Sequence, residues 1–562
     1  MKNKITTNIL LAIGFSMLSA TSFAQQKPND ITSDTIKSVA DYTPFLNDAY
    51  KIKDNPTIQD TGKINPHLTY QFLDRQVLVD FAINPIKPAK IKGEPLVKLY
   101  RGYAKVGFGT NTTPLVDLYY NAKRSKKWGW GILGKHFSSS GISKIDYSGF
   151  SDNRLGVFGK RFLKDFTIEG SFDFNRNVNH YYGTPQDAGF IIASENDIKQ
   201  RLTTYSGALS LTRNYTKTDQ FDYDVNVAYY HLNDFYDVSE NNFNMTGSLS
   251  KFHKKEKYEI SMEFNYDKLI NPLTLSNNMF VGLLPHISTT ADKWEFQVGL
   301  GLYLNSFENT KFHFYPQAEF KYNIADDIII PYVGITGGLQ ANSLGSFYAE
   351  NPFVNTTNIA IQNTNKKYDI YLGVRGSLTS NITFNTSFSK QKIESMPLYV
   401  KDMKSHFKNQ FTVVYDTLDV MKLNGELAYQ KLEKWKFILN GDYYFYTTKN
   451  ALEAWHKPDL KISLSGIYDL GNKILVRADL FYIGKQYAQE FVTTTSNNTF
   501  IVTEQAQSLS GVFDANISFE YRYTKKLSAF INFNNIGSVK YQRWQDYPSQ
   551  QFGVLGGLTY AF

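Results

Sequence analysis

The chain has 562 residues, of which 20% are charged and 15% aromatic, with 60 basic against 52 acidic side chains. The formal net charge of +8 is a mild excess for this length and gives no sign of a nucleic-acid partner. Cysteine is absent, which excludes a disulfide framework and lipid attachment through a thiol.

The first 24 residues have the pattern of a secretory signal peptide. Lys2 and Lys4 form a basic start, an apolar stretch runs from Ile9 to Ala20, and Ser22-Phe23-Ala24 is a small-x-small cleavage site. We therefore expect a signal peptide over 1–24 and a mature chain with a formal charge of +6, since removal takes away two lysines.

From 99 to 562 the sequence alternates between apolar and polar residues with a period of two. In 513–523, apolar and aromatic residues occupy every second position, and polar residues such as Asp514 lie between them. The final segment, 551–562, repeats this pattern and ends on the aromatic Phe562. A strand with lipid on one face and a lumen on the other needs this alternation, and no apolar run beyond the signal peptide is long enough for a helical span. The sequence predicts a transmembrane antiparallel β-barrel.

The alternating segments can be counted. They lie near 99–109, 114–123, 127–138, 149–162, 165–179, 200–215, 220–234, 240–253, 256–268, 276–290, 293–306, 311–323, 327–340, 366–378, 380–392, 411–431, 434–447, 458–470, 473–486, 507–523, 526–538 and 550–562. The segment 411–431 contains Tyr415-Asp416-Thr417, which could be a turn, but splitting it would invert the alternation of short and long connections downstream. We keep it as one long strand that projects beyond the bilayer, and the prediction is about 22 strands.

The connections between these segments alternate in length. Every second one is brief, as at Leu163-Lys164 and Lys254-Lys255, whereas others are long, as at 180–199 and 341–365. Outer-membrane barrels have short periplasmic turns and longer extracellular loops. We therefore expect both termini of the chain to lie in the periplasm.

The C-terminal part of the sequence resembles a known family. Residues 527–536 (LSAFINFNNI), followed by Trp544, Tyr547-Pro548 and Tyr560-Ala561-Phe562, are similar to the end of the barrel in TonB-dependent outer-membrane receptors. The resemblance implies a barrel in the outer membrane of a Gram-negative bacterium and a role in transport. Members of that family typically carry a plug domain of well over a hundred residues and an energy-coupling box near the mature N-terminus.

The segment between the signal peptide and the barrel departs from that family. Residues 25–98 hold seven of the 17 prolines, which predicts an extended periplasmic segment rather than a packed plug. Residues 77–82 (VLVDFA) could be taken for a coupling box, but a short β-segment is the preferred interpretation. A basic stretch before the barrel consists of Lys87, Lys90, Lys92 and Lys98. It could touch anionic headgroups or an acidic partner, but a solvated linker is the default interpretation.

Two motifs in the third predicted strand could carry chemistry. Gly129 to Lys135 mimics the start of a phosphate-binding loop, but His136 stands where Ser or Thr should be and the segment lies inside a strand. His136 and Ser138 share one strand face, with Asn153 on the next strand, and this resembles the outer-membrane phospholipase. That family has a much smaller barrel, so the favoured interpretation places these side chains among lipid headgroups without a catalytic role.

Metal, cofactor and sugar sites receive little support. Aromatic clusters at Tyr443-Tyr444-Phe445-Tyr446 and at Trp544 with Tyr547 could stack on sugars, although interfacial girdle residues are the commoner interpretation. No paired spacing suited to a metal occurs among the nine histidines, which are His67, His136, His180, His231, His253, His286, His313, His406 and His456. We predict no catalytic, cofactor-binding or metal-binding residues and do not expect an enzyme.

Two functions from different classes remain. The first is a transport channel or transporter component, closed by its N-terminal segment, by a partner, or by its own loops, for which 342–365 and 487–506 are the candidates. The second is a non-transporting scaffold subunit of a larger outer-membrane complex for protein secretion or assembly. Both imply outer-membrane lipids and other outer-membrane or periplasmic proteins as partners, and the resemblance favours transport.

Overall fold

The structure is a computed structural model that describes residues 100–185, 192–214, 220–272, 275–307, 309–432, 434–496 and 499–562. The predicted signal peptide, the segment 25–98 with its basic stretch and candidate coupling box, and His67 lie outside the described residues. In the part of the chain that is described, no helix has the length and apolar character needed to cross a membrane.

Twenty-two strands form one closed antiparallel sheet, as the sequence predicted. The barrel strands are β1 (Gly102–Gly109), β2 (Thr113–Asn121), β3 (Trp128–Ser139), β4 (Phe150–Phe162), β5 (Phe166–His180), β6 (Lys199–Arg213), β7 (Asp222–Asn233), β8 (Ser239–His253), β9 (Glu256–Ile270), β10 (Leu275–Thr290), β11 (Trp294–Phe307), β12 (Asn309–Tyr322), β13 (Ile330–Gln340), β14 (Thr364–Thr379), β15 (Ile382–Lys401), β16 (Phe411–Lys431), β17 (Trp435–Thr448), β18 (Leu460–Leu470), β19 (Ile474–Ile483), β22 (Val512–Arg522), β23 (Leu527–Asn534) and β26 (Gly553–Ala561). Two small hairpins lie in the loops and consist of β20 (Gln486–Ser496) with β21 (Thr499–Leu509) and β24 (Gln542–Trp544) with β25 (Tyr547–Pro548).

The alternation in the sequence separates the two faces of the wall. On β22, Phe513 and Phe519 are exposed on the outer face, whereas Asp514, one residue along, is buried. Charged side chains of opposite sign meet on the other face, where an Arg154 nitrogen lies 2.7 Å from an Asp173 carboxylate oxygen. The outer surface is therefore apolar and the lumen side is polar, which is the arrangement of a barrel surrounded by lipid.

The ring closes where β1 pairs with β26. Tyr103 faces Ala561 in the register, and the backbone N–H groups of Arg101 and Gly102 donate to the carbonyl of Phe562 at 2.8 and 2.9 Å. This seam is closely packed, because a Cβ atom at Gly557 would lie 2.1 Å from the carbonyl oxygen of Val106. The ends of the described chain thus meet at one rim of the barrel, the one that carries the short turns.

Turn chemistry explains the short connections at that rim. Between β18 and β19, Gly471 and Asn472 have φ angles of 60° and 58°, and Lys473 N–H donates to the Leu470 carbonyl at 3.1 Å. Two successive residues with positive φ match the right-handed twist of the flanking strands. The remaining connections, at the opposite rim, include the long loops, which confirms the predicted alternation in length.

Two segments predicted as loops contain more strand than expected. Strand β15 continues to Lys401 rather than ending near 392, because an irregularity between Ile393 and Met396 shifts the pairing register and hides the alternation. Ser395 in this irregularity has a φ of 51°. The segment 487–506 forms most of the hairpin β20–β21. Strand β16 is a single strand over 411–431, as predicted, despite its internal Tyr-Asp-Thr.

Candidate functional site

Loops from distant strands meet over the long-loop mouth of the barrel. The Tyr181 hydroxyl, just after β5, donates at 2.9 Å to the carbonyl of Val354, which lies between β13 and β14. The Tyr182 hydroxyl donates at 3.2 Å to the carbonyl of Pro548, between β23 and β26. Because these strands stand at different places around the ring of 22, the loops must reach across the mouth to touch. We call this assembly the cap, formed by residues 181–185, 341–363, 402–410, 449–459 and 535–552.

The cap has a hydrophobic core of its own. Phe353 stacks on Tyr547 with ring centroids 3.6 Å apart, and Tyr182 meets Tyr547 edge-on at 4.9 Å. The buried members of this core are Leu202, Leu232, Val238, Leu269, Leu344, Phe347, Val354, Ile359, Ile361, Tyr399, Phe411, Val413, Trp544 and Tyr547. Strand ends and loops contribute together, so the cap is packed against the barrel as a domain core is packed.

A short helix, α1 (Leu344–Glu350), anchors the largest cap segment. Its N-cap is Ser343, whose hydroxyl accepts from Ser346 N–H at 3.0 Å. The buried carboxylate of Glu240, from the start of β8, accepts from the N–H groups of Leu344 and Gly345, and from the Tyr230 hydroxyl at 2.8 Å. The wall thus supplies the acceptors for the first turn, which would otherwise leave unsatisfied backbone donors.

Buried polar groups tie the remaining loops together. The Gln200 amide donates at 3.1 Å to Asp234, and the Thr356 hydroxyl donates to the same carboxylate. The Asn355 amide donates at 2.7 Å to Asp402, and the Asn409 amide donates to the Tyr181 carbonyl. Buried polar networks that are satisfied in this way specify one arrangement of the chain rather than adding a large net stability.

His456 is a buried histidine within the cap. Its ring packs on Trp544 with centroids 5.0 Å apart and on Phe411 at 5.4 Å. Neither ring nitrogen has a hydrogen-bond partner among the described residues. Burial lowers the pKa of His456 to about 3; the backbone of Arg543 opposes this shift, and the ammonium groups of Lys457 and Lys401 add to it. The ring is therefore neutral in the folded cap.

Two cavities adjoin the cap. One, of about 880 Å³, opens among the cap, the β3–β4 loop and the hairpin β20–β21, and we call it the vestibule. Lysines, carboxylates, aromatic rings and amides line the vestibule, among them Lys144, Asp146, Tyr147, Tyr182, Lys408, Gln489, Glu490, Phe491, Gln507, Lys540 and Asp546. The second cavity, of about 390 Å³, is lined by Asp152 and Asn177 of the wall together with Phe353 and Tyr182. Tyr182 thus lines both cavities.

The hairpin β20–β21 stands beside the cap. Its base contacts the cap, where the Gln545 amide bonds to Gln507 at 2.5 Å and His456 N–H donates to the Tyr487 carbonyl at 2.8 Å. Further along, Phe491 and Val502 are exposed. Of the two loops predicted as closing elements, 342–365 lies largely within the cap, and 487–506 forms a wall of the vestibule.

Several candidate residues of the sequence analysis lie elsewhere. Gly129 to Lys135 is part of β3, without the strand-turn-helix setting that phosphate binding requires. Tyr443 and Phe445 are exposed on β17, as girdle residues would be, whereas Tyr444 and Tyr446 stack on the other face at 5.6 Å. The interpretation of Trp544 and Tyr547 as sugar-stacking or girdle residues is wrong, because both are buried in the cap core.

The structure does bring one set of predicted residues together. His136 lies 2.7 Å from Asn153 and 3.1 Å from Ser138, between ring nitrogens and side-chain oxygens. By contrast, no three His, Asp or Glu side chains cluster as metal ligands would within the described residues.

The sequence analysis missed the cap itself. One signal was present in 341–365, where the spacing of Ser343 and Ser346 suits a helix start and Phe347, Tyr348 and Phe353 are more aromatic than a solvated loop needs. The contacts from this loop to Glu240, Asp234 and Tyr547 join residues at least 104 positions apart, and no local pattern encodes such contacts.

Comparison with known proteins supports the fold. No family model and no curated protein matches the chain. Among solved structures, the chain is similar to the ferripyoverdine receptor of the outer membrane of Pseudomonas aeruginosa bound to ferripyoverdine, with a TM-score of 0.60, 12% identity, and coverage of 84% of this chain and 72% of that one.

Two further structures give the same result. The FrpB iron transporter from Neisseria meningitidis has a TM-score of 0.65 at 9% identity, with 83% of this chain and 82% of that chain covered. The copper transporter OprC has a TM-score of 0.60 at 12% identity, with 84% and 82% covered. The barrel of this chain therefore has the fold of these receptors and transporters, as the resemblance to TonB-dependent receptors predicted.

Proposed function

We propose that this chain is an outer-membrane barrel of transporter type whose long-loop end is closed by the cap. The single observation that carries the proposal is the contact of loops from distant strands, shown by the bonds of Tyr181 to Val354 and of Tyr182 to Pro548. A ring of 22 strands encloses a lumen wide enough to leak solutes. A mouth covered by packed loops prevents that leak, and it can pass a solute only when the loops move.

The vestibule is the proposed place of solute capture. Its four lysines are opposed by three carboxylates, and Tyr147 and Phe491 supply flat apolar surface. This mixed lining suits a small organic solute that carries rings together with charged or polar groups, because aromatic faces and charged side chains then act on the same molecule. Solved structures with this fold include one bound to ferripyoverdine, which supports the capture of a small solute.

Tyr182 marks the proposed route from the vestibule to the lumen. Its ring is held by Tyr547 edge-on at 4.9 Å and by Phe353 at 5.7 Å, and it lines the cavities on both sides. Displacement of this aromatic group would connect the two cavities. The cap would then act as a gate whose aromatic core is its closed state.

The test is the conductance of purified protein in planar lipid bilayers. Tyr547→Ala removes a ring that is 3% exposed and central to the cap core. Such a truncation costs about 3–5 kcal/mol where packing is lost. We expect frequent open states and a higher conductance than wild type. Tyr523→Ala, at an exposed residue of the opposite rim, is the matched control and should conduct as wild type does. A folded Tyr547→Ala barrel with wild-type conductance would contradict closure by the cap.

A scaffold role is the second candidate, and the packing of the cap favours it. Fourteen buried apolar residues hold the cap as a core, which suits a permanent closure as well as a gate. Hydrogen exchange distinguishes the two functions. Amides of 344–361 that exchange through local opening support a gate, whereas amides that exchange only with global unfolding support a static scaffold.

The part of the chain before the barrel belongs to the proposed architecture as well. We propose a signal peptide over 1–24, a periplasmic segment over 25–98 and the barrel over 99–562, with the short-turn rim in the periplasm. The start of β1 at Gly102, beside the end of β26, supports this division. If the cap closes the barrel, deletion of 25–88 should leave conductance unchanged. An increase in conductance would assign the closure to the N-terminal segment instead.

A further inference from the structure

Three polar residues meet on the outer face of the barrel wall. His136 and Ser138 lie on β3 and Asn153 lies opposite His136 on β4. Ile132, which shares the face of His136, is 42% exposed, and Leu155, which shares the face of Asn153, is 53% exposed. The three side chains therefore point away from the lumen. They lie near the long-loop end of the wall, because β3 ends at Ser139.

These side chains form a hydrogen-bonded chain. The distance from His136 Nδ1 to Asn153 Oδ1 is 2.7 Å, and the distance from His136 Nε2 to Ser138 Oγ is 3.1 Å. A hydroxyl bonded to one ring nitrogen, with a side-chain acceptor on the other, is the relation between nucleophile, base and orienting group in hydrolytic triads.

The surroundings of Asn153 determine the histidine tautomer. The Asn153 Nδ2 group donates to Ser151 Oγ at 2.9 Å and to the Arg176 carbonyl at 3.4 Å, so the amide oxygen faces the ring. An oxygen acceptor at Nδ1 requires the ring proton on Nδ1. In the neutral ring, Nε2 is then unprotonated and accepts from the Ser138 hydroxyl, which is the tautomer that a general base needs.

We propose that Ser138, His136 and Asn153 hydrolyse carboxylic esters of membrane lipids. The position on the lipid-facing side determines the substrate class, since acyl chains contact this wall and their ester groups lie at the boundary with the headgroups. The assignment rests on the proposed membrane location of the barrel but not on transport. It goes against the expectation that the chain is not an enzyme.

The reaction balances with water as the second substrate. His136 Nε2 takes the Ser138 hydroxyl proton as Oγ bonds to the acyl carbon. The ester C–O bond then breaks, and the alcohol leaves with that proton. Water next attacks the acyl group on Ser138 and gives a proton to His136. The Oγ–acyl bond breaks, the fatty acid departs and Oγ recovers its proton.

Arg176 is the proposed charge-stabilising residue. Its Cα is paired with that of Asn153 across the ladder, and its side chain is exposed on the same outer face. The strand N–H groups are engaged in the sheet, so the developing oxyanion, or a nearby lipid phosphate, needs a side-chain donor. No hydrogen bond or ion pair engages its guanidinium within the described residues.

The barrel contains a matched comparison pair. His231 on β7 bonds to Asn241 on β8 at 3.0 Å between ring nitrogen and amide oxygen. The residues two positions away on the same strand are Tyr229 and Asn233, so this pair has no serine. An interstrand His–Asn contact thus occurs here without a nucleophile, and His231→Ala is the control for a loss of such a contact alone.

Covalent labelling tests the nucleophile directly. Purified barrel in detergent is treated with a long-chain alkyl fluorophosphonate, and folding of each variant is confirmed by heat-modifiable migration. We expect labelling at Ser138 in wild type and in His231→Ala, its loss in Ser138→Ala, and labelling at least about 10²-fold slower in His136→Ala. Equal labelling of wild type and folded Ser138→Ala would overturn the proposal, as would no labelling of wild type.

Turnover on vesicles identifies the lipid. Fatty-acid release is measured from vesicles of phosphatidylethanolamine and phosphatidylglycerol and, separately, from vesicles containing lipid A. The triad is supported if either kind of vesicle releases fatty acid and if Ser138→Ala abolishes and Asn153→Ala lowers that release. The kind of vesicle that is hydrolysed identifies the source of the ester. Release that these variants leave unchanged, or no release in both arms, contradicts it.

Discussion

At the scale of single residues, the seam of the barrel depends on the absence of a side chain. A Cβ atom at Gly557 would meet the Val106 carbonyl oxygen at 2.1 Å, and a backbone atom cannot move aside as a flexible side chain can. We expect Gly557→Ala to separate β1 from β26 and to cost about 1–3 kcal/mol, as overpacking does. The measurement is the temperature at which the folded band disappears in heat-modifiable migration.

Gly441→Ala is the control for the seam. Gly441 lies on β17, where a Cβ would meet nothing within 4 Å, so the same chemical change should leave the transition where it is. If Gly557→Ala and Gly441→Ala lose the folded band at the same temperature, the seam tolerates the extra atom.

His456 makes the cap sensitive to acid. The ring is neutral in the folded cap, with a pKa of about 3, whereas in an unfolded chain it is protonated below about 6.5. The unfolded state therefore binds more protons between these values, and the cap loses about 1.4 kcal/mol of stability for each pH unit that the pH falls through this window. We expect wild-type open states to be more frequent at about pH 5 than at about pH 7.

His456→Phe should remove this dependence, because an apolar ring of similar size keeps the packing on Trp544 and Phe411 and has no proton to bind. The measurement is again the frequency of open states in planar bilayers at the two pH values. A variant that opens in acid as much as wild type does would assign the effect to another group.

At the scale of elements, helix α1 depends on one residue of the wall. Glu240→Ala leaves the N–H groups of Leu344 and Gly345 and the Tyr230 hydroxyl without their acceptor. Each buried group that loses its hydrogen bond costs about 1–3 kcal/mol of stability. We expect the segment 341–363 to loosen and to be cleaved faster by an added protease. Glu426→Ala, at an exposed carboxylate on β16, should be cleaved as slowly as wild type. Equal cleavage of both variants would mean that α1 is held by its apolar face alone.

The barrel elements could be predicted from the sequence because each strand carries its own signal. Alternation within 411–431 or 551–562 is local, and lipid on one side and water on the other force the same period on every strand. The signal failed where pairing was irregular, as at Ser395 in β15, since a shift in register reverses the face of each later residue.

The cap could not be predicted in the same way. Tyr547 and Trp544 have the composition of interfacial aromatics, and only their contacts with Phe353, Tyr182 and Tyr399 show that they form a core. Similarly, the pairing of His136 with Asn153 followed from the strand count, but the orientation of the amide followed only from its bonds to Ser151 and to the Arg176 carbonyl.

At the scale of the whole molecule, we expect the two rims to differ in their accessibility to antibody. We expect an epitope tag between Ser496 and Thr499, at the tip of the hairpin β20–β21, to be reached by antibody on intact cells. A tag in the short connection 124–126 or at Thr524-Lys525 should be reached only after the outer membrane is opened. Surface labelling of either short turn would invert the proposed orientation of the barrel.

The cap also determines the order in which the molecule can assemble. Gln550 bonds to Ser139 across 411 positions of sequence, and Tyr182 bonds to Pro548 across 366. Contacts between residues so far apart in sequence form only after the intervening chain is in place. Closing so large a loop costs conformational entropy before any contact can stabilise it. Both contacts reach across the seam, because β3 and β5 lie on one side of it and the segment before β26 lies on the other. The ring must therefore close before these contacts can form. We therefore expect each newly made barrel to pass through an intermediate with an open mouth, in which the packing of the cap is the last step of maturation.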